Sequence, residues 1–392
     1  MKNNQEPVWL KVIRILLAAV FLFSGFVKAV DPIAFSHTIS DYFFSFKMGF
    51  MQPFSLFFAI LPITAEFVLG FMLLFRIRVK LTTAFYLLFM VFFFLLTAWL
   101  ALAEHLETHH GYNFGVVKDC GCFGKAIVMS NLHTFLKNVL IIIPTIIVFI
   151  KRNKIPDIRL TVLGQWCFAA LGVLLVSLLQ FYCYQHLPII DFGDWKKGEN
   201  VAKTFIEKPA KKDILFIYRE ITDSTNFKVL TAEELSSITD SQSDFYEKFT
   251  FVERRDSIIV PAYHPEIAGF NMIDSSGYDH AFELINEAST HNVYIVFMYD
   301  LYETDKEGVK RIKRWATGLD ATATVVAVTN SPENDVTAFI KEHNFTIPIY
   351  INPIDPIKGP FAVRDAVRAN PGVIQIRSGK VFDKWNWREL SE

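Results

Sequence analysis

The residues with the clearest chemical capacity are two of the four cysteines, Cys120 and Cys122, which stand one glycine apart in the run Asp119-Cys120-Gly121-Cys122-Phe123-Gly124. Two thiols at this spacing close only a small, strained ring, and a strained disulfide is comparatively oxidising and easily exchanged. Such a pair suits disulfide transfer; the alternative is a structural loop whose sulfurs stay reduced. Gly121 and Gly124 give the backbone the freedom a tight turn demands. His105, His109 and His110 come shortly before the pair, but their spacing matches no compact zinc motif, so no metal is expected.

The elements that must hold this loop are strongly apolar. The chain has 392 residues, 52% of them hydrophobic, with 39 Phe concentrated before the midpoint, and such a composition exceeds that of an ordinary soluble protein. Five segments, at about 9–30, 54–75, 81–103, 135–151 and 161–183, approach or reach the roughly 20 apolar residues a helix needs to cross a bilayer. Pro144 in the fourth should kink that helix. Cys183 then falls at the same end of the bundle as the cysteine loop and joins Cys120 and Cys122 as a candidate catalytic residue, in the role of resolving thiol. Cys167, nearer the other end of that span, reads as a small packing residue.

Cationic loops are retained in the cytoplasm. The short connections 76–80 and 151–160 carry three and four Lys/Arg, whereas the longer loops 31–53 and 104–134 carry only Lys47, Lys118 and Lys125. The expected topology is an inner-membrane protein with a cytoplasmic N-terminus and residues 184–392 in the periplasm, where disulfides can form. Net charge is −1, from 39 Lys+Arg against 40 Asp+Glu, so nothing suggests a nucleic-acid partner. The expected partners are the lipid bilayer and a periplasmic or membrane client protein.

Two ionisable residues fall within the spans. Glu66 is near the middle of the second and needs a partner at that depth; Arg14 in the first is the expected one if the two helices adjoin. The pair could fix helix packing, or it could serve as a proton relay or touch a quinone head group, which makes Arg14 and Glu66 the candidate cofactor residues. Lys28, near the end of the first span, is expected to snorkel to the interface.

Beyond the fifth span, 184–211 reads as a polar surface linker and 212–279 as a small β-rich subdomain. From 280 to 392 the pattern alternates helices with strands and ends in the hairpin VIQIR-SGK-VFDKW, which implies an α/β sheet with a terminal antiparallel pair. Trp385, Trp387 and Phe382 read as hairpin packing.

The runs FLFSGFVKAVDP, AEFVLGFMLLF and DCGCFG together resemble the DoxX-like superfamily, especially its MauE-type, methylamine-utilisation branch, over about residues 8–150. That resemblance implies a four-helix membrane bundle, to which a fifth span is added here. It also implies links to maturation of disulfide-rich periplasmic enzymes or to quinone-linked sulfur oxidation, with Cys120 and Cys122 in the place of the family's paired thiols. The longer layout resembles DoxX-like proteins of Bacteroidetes. Residues 285–390 resemble thioredoxin, which would make Pro371 the cis-proline beside which an extended substrate binds. The place of thioredoxin's CxxC reads FMYDLYETDKEG and has no cysteine. The expectation is a thiol-disulfide redox or maturation protein, or else a non-enzymatic scaffold whose thioredoxin-like domain binds a partner.

Overall fold

The computed structural model describes residues 6–110, 114, 117, 120–204, 211–222, 226–241, 244–260, 270–287, 291–354 and 361–391. Five helices are long and apolar enough to cross a membrane: Val8–Val30, Gly49–Phe75, Val79–Glu107, Asn131–Lys154 and Val162–Gln185. Within them lie the α-helices α1 (Val8–Val30), α3 (Ser55–Phe75), α4 (Val79–His110, running past the apolar stretch), α5 (Asn131–Lys151) and α6 (Val162–Gln185). Pro144 sits inside α5, which stays one continuous helix. Leu88, Phe92, Leu95, Leu140, Leu174 and Leu178 are exposed on α4, α5 and α6, as an apolar solvent requires.

The helices α1 and α3 pack most closely, and small residues set the distance. A Cβ built on Gly70 would stand 2.8 Å from the Leu22 backbone nitrogen, and one on Gly25 would stand 2.8 Å from that of Phe67. Backbone has nowhere to yield, so this crossing depends on glycine. Gly70→Ala is expected to cost about 1–3 kcal/mol by overpacking, read as a lower melting temperature of the detergent-solubilised chain. An unchanged melting temperature would mean that the crossing is looser.

The segment 31–53, expected as a loop, is largely helical. In α2 (Pro32–Ser45), the Asp31 side chain accepts from the Ala34 backbone N–H, and Pro32 occupies the first turn, where its missing donor costs nothing. A 3₁₀ turn (Gly49–Phe54) then leads into α3. These are strong local start signals, masked in the sequence by the apolar runs on either side.

After α6 comes a short helix α7 (Val201–Thr204), then the strands β1 (Lys211–Glu220) and β2 (Phe227–Thr231), the helices α8 (Ala232–Ser241) and α9 (Phe245–Lys248), and β3 (Phe249–Val260). The three strands form one antiparallel sheet, β2-β1-β3. A second unit follows: α10 (Ala281–Glu287), β4 (Val293–Phe297), α11 (Lys306–Thr317), β5 (Thr324–Thr329), α12 (Glu333–His343), β6 (Ile349–Ile351), α13 (Phe361–Arg364), β7 (Gly372–Arg377) and β8 (Lys380–Asn386). Its sheet runs β6-β5-β4-β7-β8, with β4, β5 and β6 parallel and the β7–β8 hairpin antiparallel. The hairpin turns at Ser378 and Gly379, both with positive φ, as a two-residue turn between right-twisted strands prefers. Side chains alternate between two cores: Val293, Ile295 and Phe297 face one, while Val296 and Met298 face the other. A sheet covered on both faces needs apolar residues at consecutive positions.

Two expected boundaries change. The linker 184–211 is partly core, because Trp195 and Val201 are buried in the α/β unit and Gly198 and Glu199 exchange backbone hydrogen bonds with Val381. The β-rich stretch likewise does not extend to 279: Phe270 and Met272 lie in that same core, and Ile273 bridges to Ile351. In both cases a few apolar residues in polar surroundings find their partners far away in sequence.

Candidate functional site

The loop between α4 and α5 folds back against the end of the bundle. Gly121 lies against Thr38 and Phe35 of α2, and Gly124 against Val27 and Lys28 of α1; both glycines adopt positive φ, where a side chain would be strained. Asn131 at the start of α5 donates to the Val117 carbonyl, 3.0 Å away, tying the loop down. Cys120 is buried with Tyr42 and Leu100, while Cys122 is partly open. Both are free thiols, and their sulfurs are 3.2 Å apart.

At that separation one thiol can donate to the other sulfur. The hydrogen bond from Cys120 pulls the Cys122 thiol down to about 6, with Lys137 and Lys28 adding positive charge against the opposing effect of burial. The same contact and its own burial push Cys120 well up. Cys122 is therefore the sulfur that ionises first, and Cys120 is held as the thiol.

Behind Cys122 is a polar cluster that the sequence reading arranged differently. Glu66 pairs with Lys28, not Arg14. Ser24 donates to Glu66 Oε1 at 2.9 Å, and its oxygen also lies 2.7 Å from the Cys122 carbonyl oxygen. Lys28 is only 3% exposed and does not snorkel. Ser24 and Lys28 are one turn apart on α1, so both meet Glu66 across the α1–α3 contact. Arg14 lies toward the other end: it pairs with Glu6 at 2.7 Å and donates to the Leu73 and Leu74 carbonyls at 2.8 and 2.7 Å, satisfying the C-terminus of α3. Glu66 and Leu73 are seven residues apart, about 10 Å along a helix. The expected Arg14–Glu66 pair is therefore not formed. The cavity shared by Ser24, Lys28, Glu66, Cys122, Lys137 and Asn138 measures about 30 Å³. That is room for a water but not for a quinone ring, so these residues do not fit a quinone as they stand.

Cys183 is buried on α6 with its sulfur facing the Ile189 backbone, and no described contact joins it to the pair. Cys167 is exposed on α6 and does not pack inside. His105 is described, but the side chains of His109 and His110 lie outside the described residues, as do Lys118 and Asp119.

The α/β unit docks on the cysteine end of the bundle through buried charges that the sequence reading missed. Arg368 donates to Asp31 at 2.9 Å and to Asp365 at 3.2 Å. Arg364 reaches both oxygens of Asp41, at 3.2 and 3.3 Å. His37 Nδ1 lies 3.2 Å from Asp365, and Lys125 of the cysteine loop 3.5 Å from the same carboxylate. Lys384 pairs with Asp191 at 2.6 Å. A weak signal was present: Asp365 and Arg368 stand three residues apart and Arg364 and Arg368 four, spacings at which side chains can meet.

The Asn370–Pro371 bond is cis, as the sequence suggested. Gly308 at the start of α11 lets Pro371 and Trp387 approach; a Cβ there would come within 2.7 Å of the proline ring. Trp385 and Trp387 pack against the core, while Phe382 is exposed. Between this region and α2 opens a cleft of about 810 Å³, lined by His37, Tyr299, Tyr302, Asn370, Trp387 and others.

Fold and site together define a multi-pass membrane protein with a paired-thiol loop beneath a docked α/β unit. Residues 7–151, which hold the first four spans and their cysteine loop, match the family model for the methylamine utilisation protein MauE. No curated protein and no solved structure matches the chain.

Proposed function

We propose that this protein exchanges disulfides with client proteins, as an inner-membrane redox or maturation factor whose cysteine loop and α/β unit face the periplasm. The observation that carries the reading is the 3.2 Å contact between two free sulfurs, one of them poised to ionise. The Cys122 thiolate attacks a client disulfide; a Cys122–client bond forms and the other client sulfur leaves as thiolate. Cys120 gives its proton to that thiolate and attacks Cys122, so the 120–122 bond closes and the second client sulfur leaves as a thiolate, which takes a proton from water to complete the dithiol. Two electrons pass from the pair to the client, and the reverse sequence oxidises it; relative potentials set the direction. No step is assigned to quinone.

The α/β unit supports the reading as the client holder. Its strand order, cis-Pro371 and the open cleft resemble thioredoxin without the cysteines, and Lys125–Asp365 links it to the thiol loop. A second reading, in which that unit is a scaffold binding a partner protein and the thiols are structural, draws on the same 810 Å³ cleft.

The test is trapping. With Cys120 removed as the resolving sulfur, Cys120→Ser should accumulate a mixed disulfide through Cys122, visible as a reducible higher-mass band, whereas Cys122→Ser should accumulate none. If Cys120→Ser yields no adduct and both variants support client maturation like wild type, the exchange reading is lost and the scaffold remains.

A further inference from the structure

Lys137 has so far figured only as a positive charge near Cys122, and its place in the fold supports a larger part. It lies on α5, half-buried, with its Nζ 4.5 Å above the Phe123 ring, and it lines the same small cavity as Cys122. The other cation there, Lys28, is already neutralised by Glu66. No carboxylate among the described residues pairs with Lys137, and a cation held partly out of water over an aromatic face is short of compensating charge.

We propose that Lys137 is the positioning residue that holds Cys122 ready as the attacking sulfur, by serving as counter-ion to its thiolate. This assignment deepens the exchange reading and rests on it for its purpose. Lys137 and the Tyr42 hydrogen bond also favour ionisation of Cys120, but the Cys122 contact and burial outweigh both there, and of the two sulfurs Cys122 is the one that shares the cavity with Lys137. Glu66 on α3 disfavours a second negative charge but is answered by Lys28 on α1; α4 contributes only Phe89, Met90 and Phe93 to the cavity; Tyr42 on α2 faces Cys120. That leaves α5 as the source of net positive charge beside Cys122. The Phe123 ring fixes where that charge sits, so the loop that carries the thiol also carries the platform for its counter-ion.

The measurement is the pH dependence of Cys122 alkylation by iodoacetamide across about pH 5 to 9, resolved by site with mass spectrometry, on the reduced full chain in detergent. Lys137→Met should raise the midpoint by about one unit, slowing alkylation roughly tenfold below it, and Lys137→Arg should restore it. A midpoint unmoved in Lys137→Met, or one that Arg fails to restore, overturns the assignment. Buried Cys183 monitors folding in the same digest; if Met exposes it, Lys137→Gln against Lys137→Arg carries the comparison. The two claims fail separately: a shifted midpoint without any trapped adduct ends the exchange reading only, and a trapped adduct with unshifted midpoints ends only the role of Lys137.

Discussion

Glu66→Ala is expected to destabilise the membrane bundle by about 3–5 kcal/mol, because it leaves the Lys28 ammonium buried without its counter-charge. The loss should appear as a strongly lowered melting temperature or denaturant midpoint of the detergent-solubilised chain. Glu66 also accepts from Ser24, whose oxygen contacts the Cys122 carbonyl, so the thiol loop should loosen as well and Cys120 should become open to alkylation. The double variant Lys28→Met/Glu66→Leu removes both charges at similar volume and should recover most of the stability, since an apolar pair avoids the desolvation cost. If Glu66→Ala melts like wild type, the pair is hydrated and has little structural weight.

Arg368→Met is expected to have an effect of similar size, about 3–5 kcal/mol, but on docking of the α/β unit. Arg368 is 4% exposed, and its loss strips the buried Asp31 and Asp365 of their shared cation. Limited proteolysis of the segment 186–200 should accelerate while α1 and α3 to α6 stay protected. The same latch should respond to pH. Burial, then the Arg364 charge, lowers the proton affinity of His37 below its ordinary 6.5, more than Asp365 raises it. The undocked state therefore takes up a proton first, and docking is strongest above 6.5 and weakens as pH falls through that value toward the lower docked one. Asp365 acts in the same sense further down. Against the cost of burial, Arg368, His37, Arg364 and Lys125 hold its carboxyl well below 3.8, so its contribution is complete above 3.8 and is lost only below it. Protease sensitivity of wild type should rise in the first window, and His37→Gln should abolish that first rise only. A flat profile in wild type would mean that His37 is not buried at the docking surface.

Much of the architecture was legible residue by residue. The five spans follow from hydropathy alone, and α10 to α13 with β4 to β8 from alternating period and the Ser378-Gly379 turn. The thiol pair was legible as a motif, and the geometry added which sulfur ionises. Partners were read poorly. Glu66 demanded a cation, and Arg14 stood out while Lys28 read as an interfacial anchor, because a linear sequence gives residue depth only to within a turn or two. Trp195 looked like linker, since one buried aromatic among polar neighbours has no periodicity.

Which segments are apolar enough to cross a bilayer, which alternate between sheet and helix, and that two thiols share one tight loop can all be read along the chain. These are local properties, carried by consecutive residues and by the cost of unpaired backbone in lipid. Tertiary structure alone decided who answers each buried charge: Lys28 for Glu66 across two helices, and Arg368 for Asp31 across 337 residues. The physical reason is that a desolvated charge is stable only beside a partner at the same depth and distance, and neither coordinate is written along the chain.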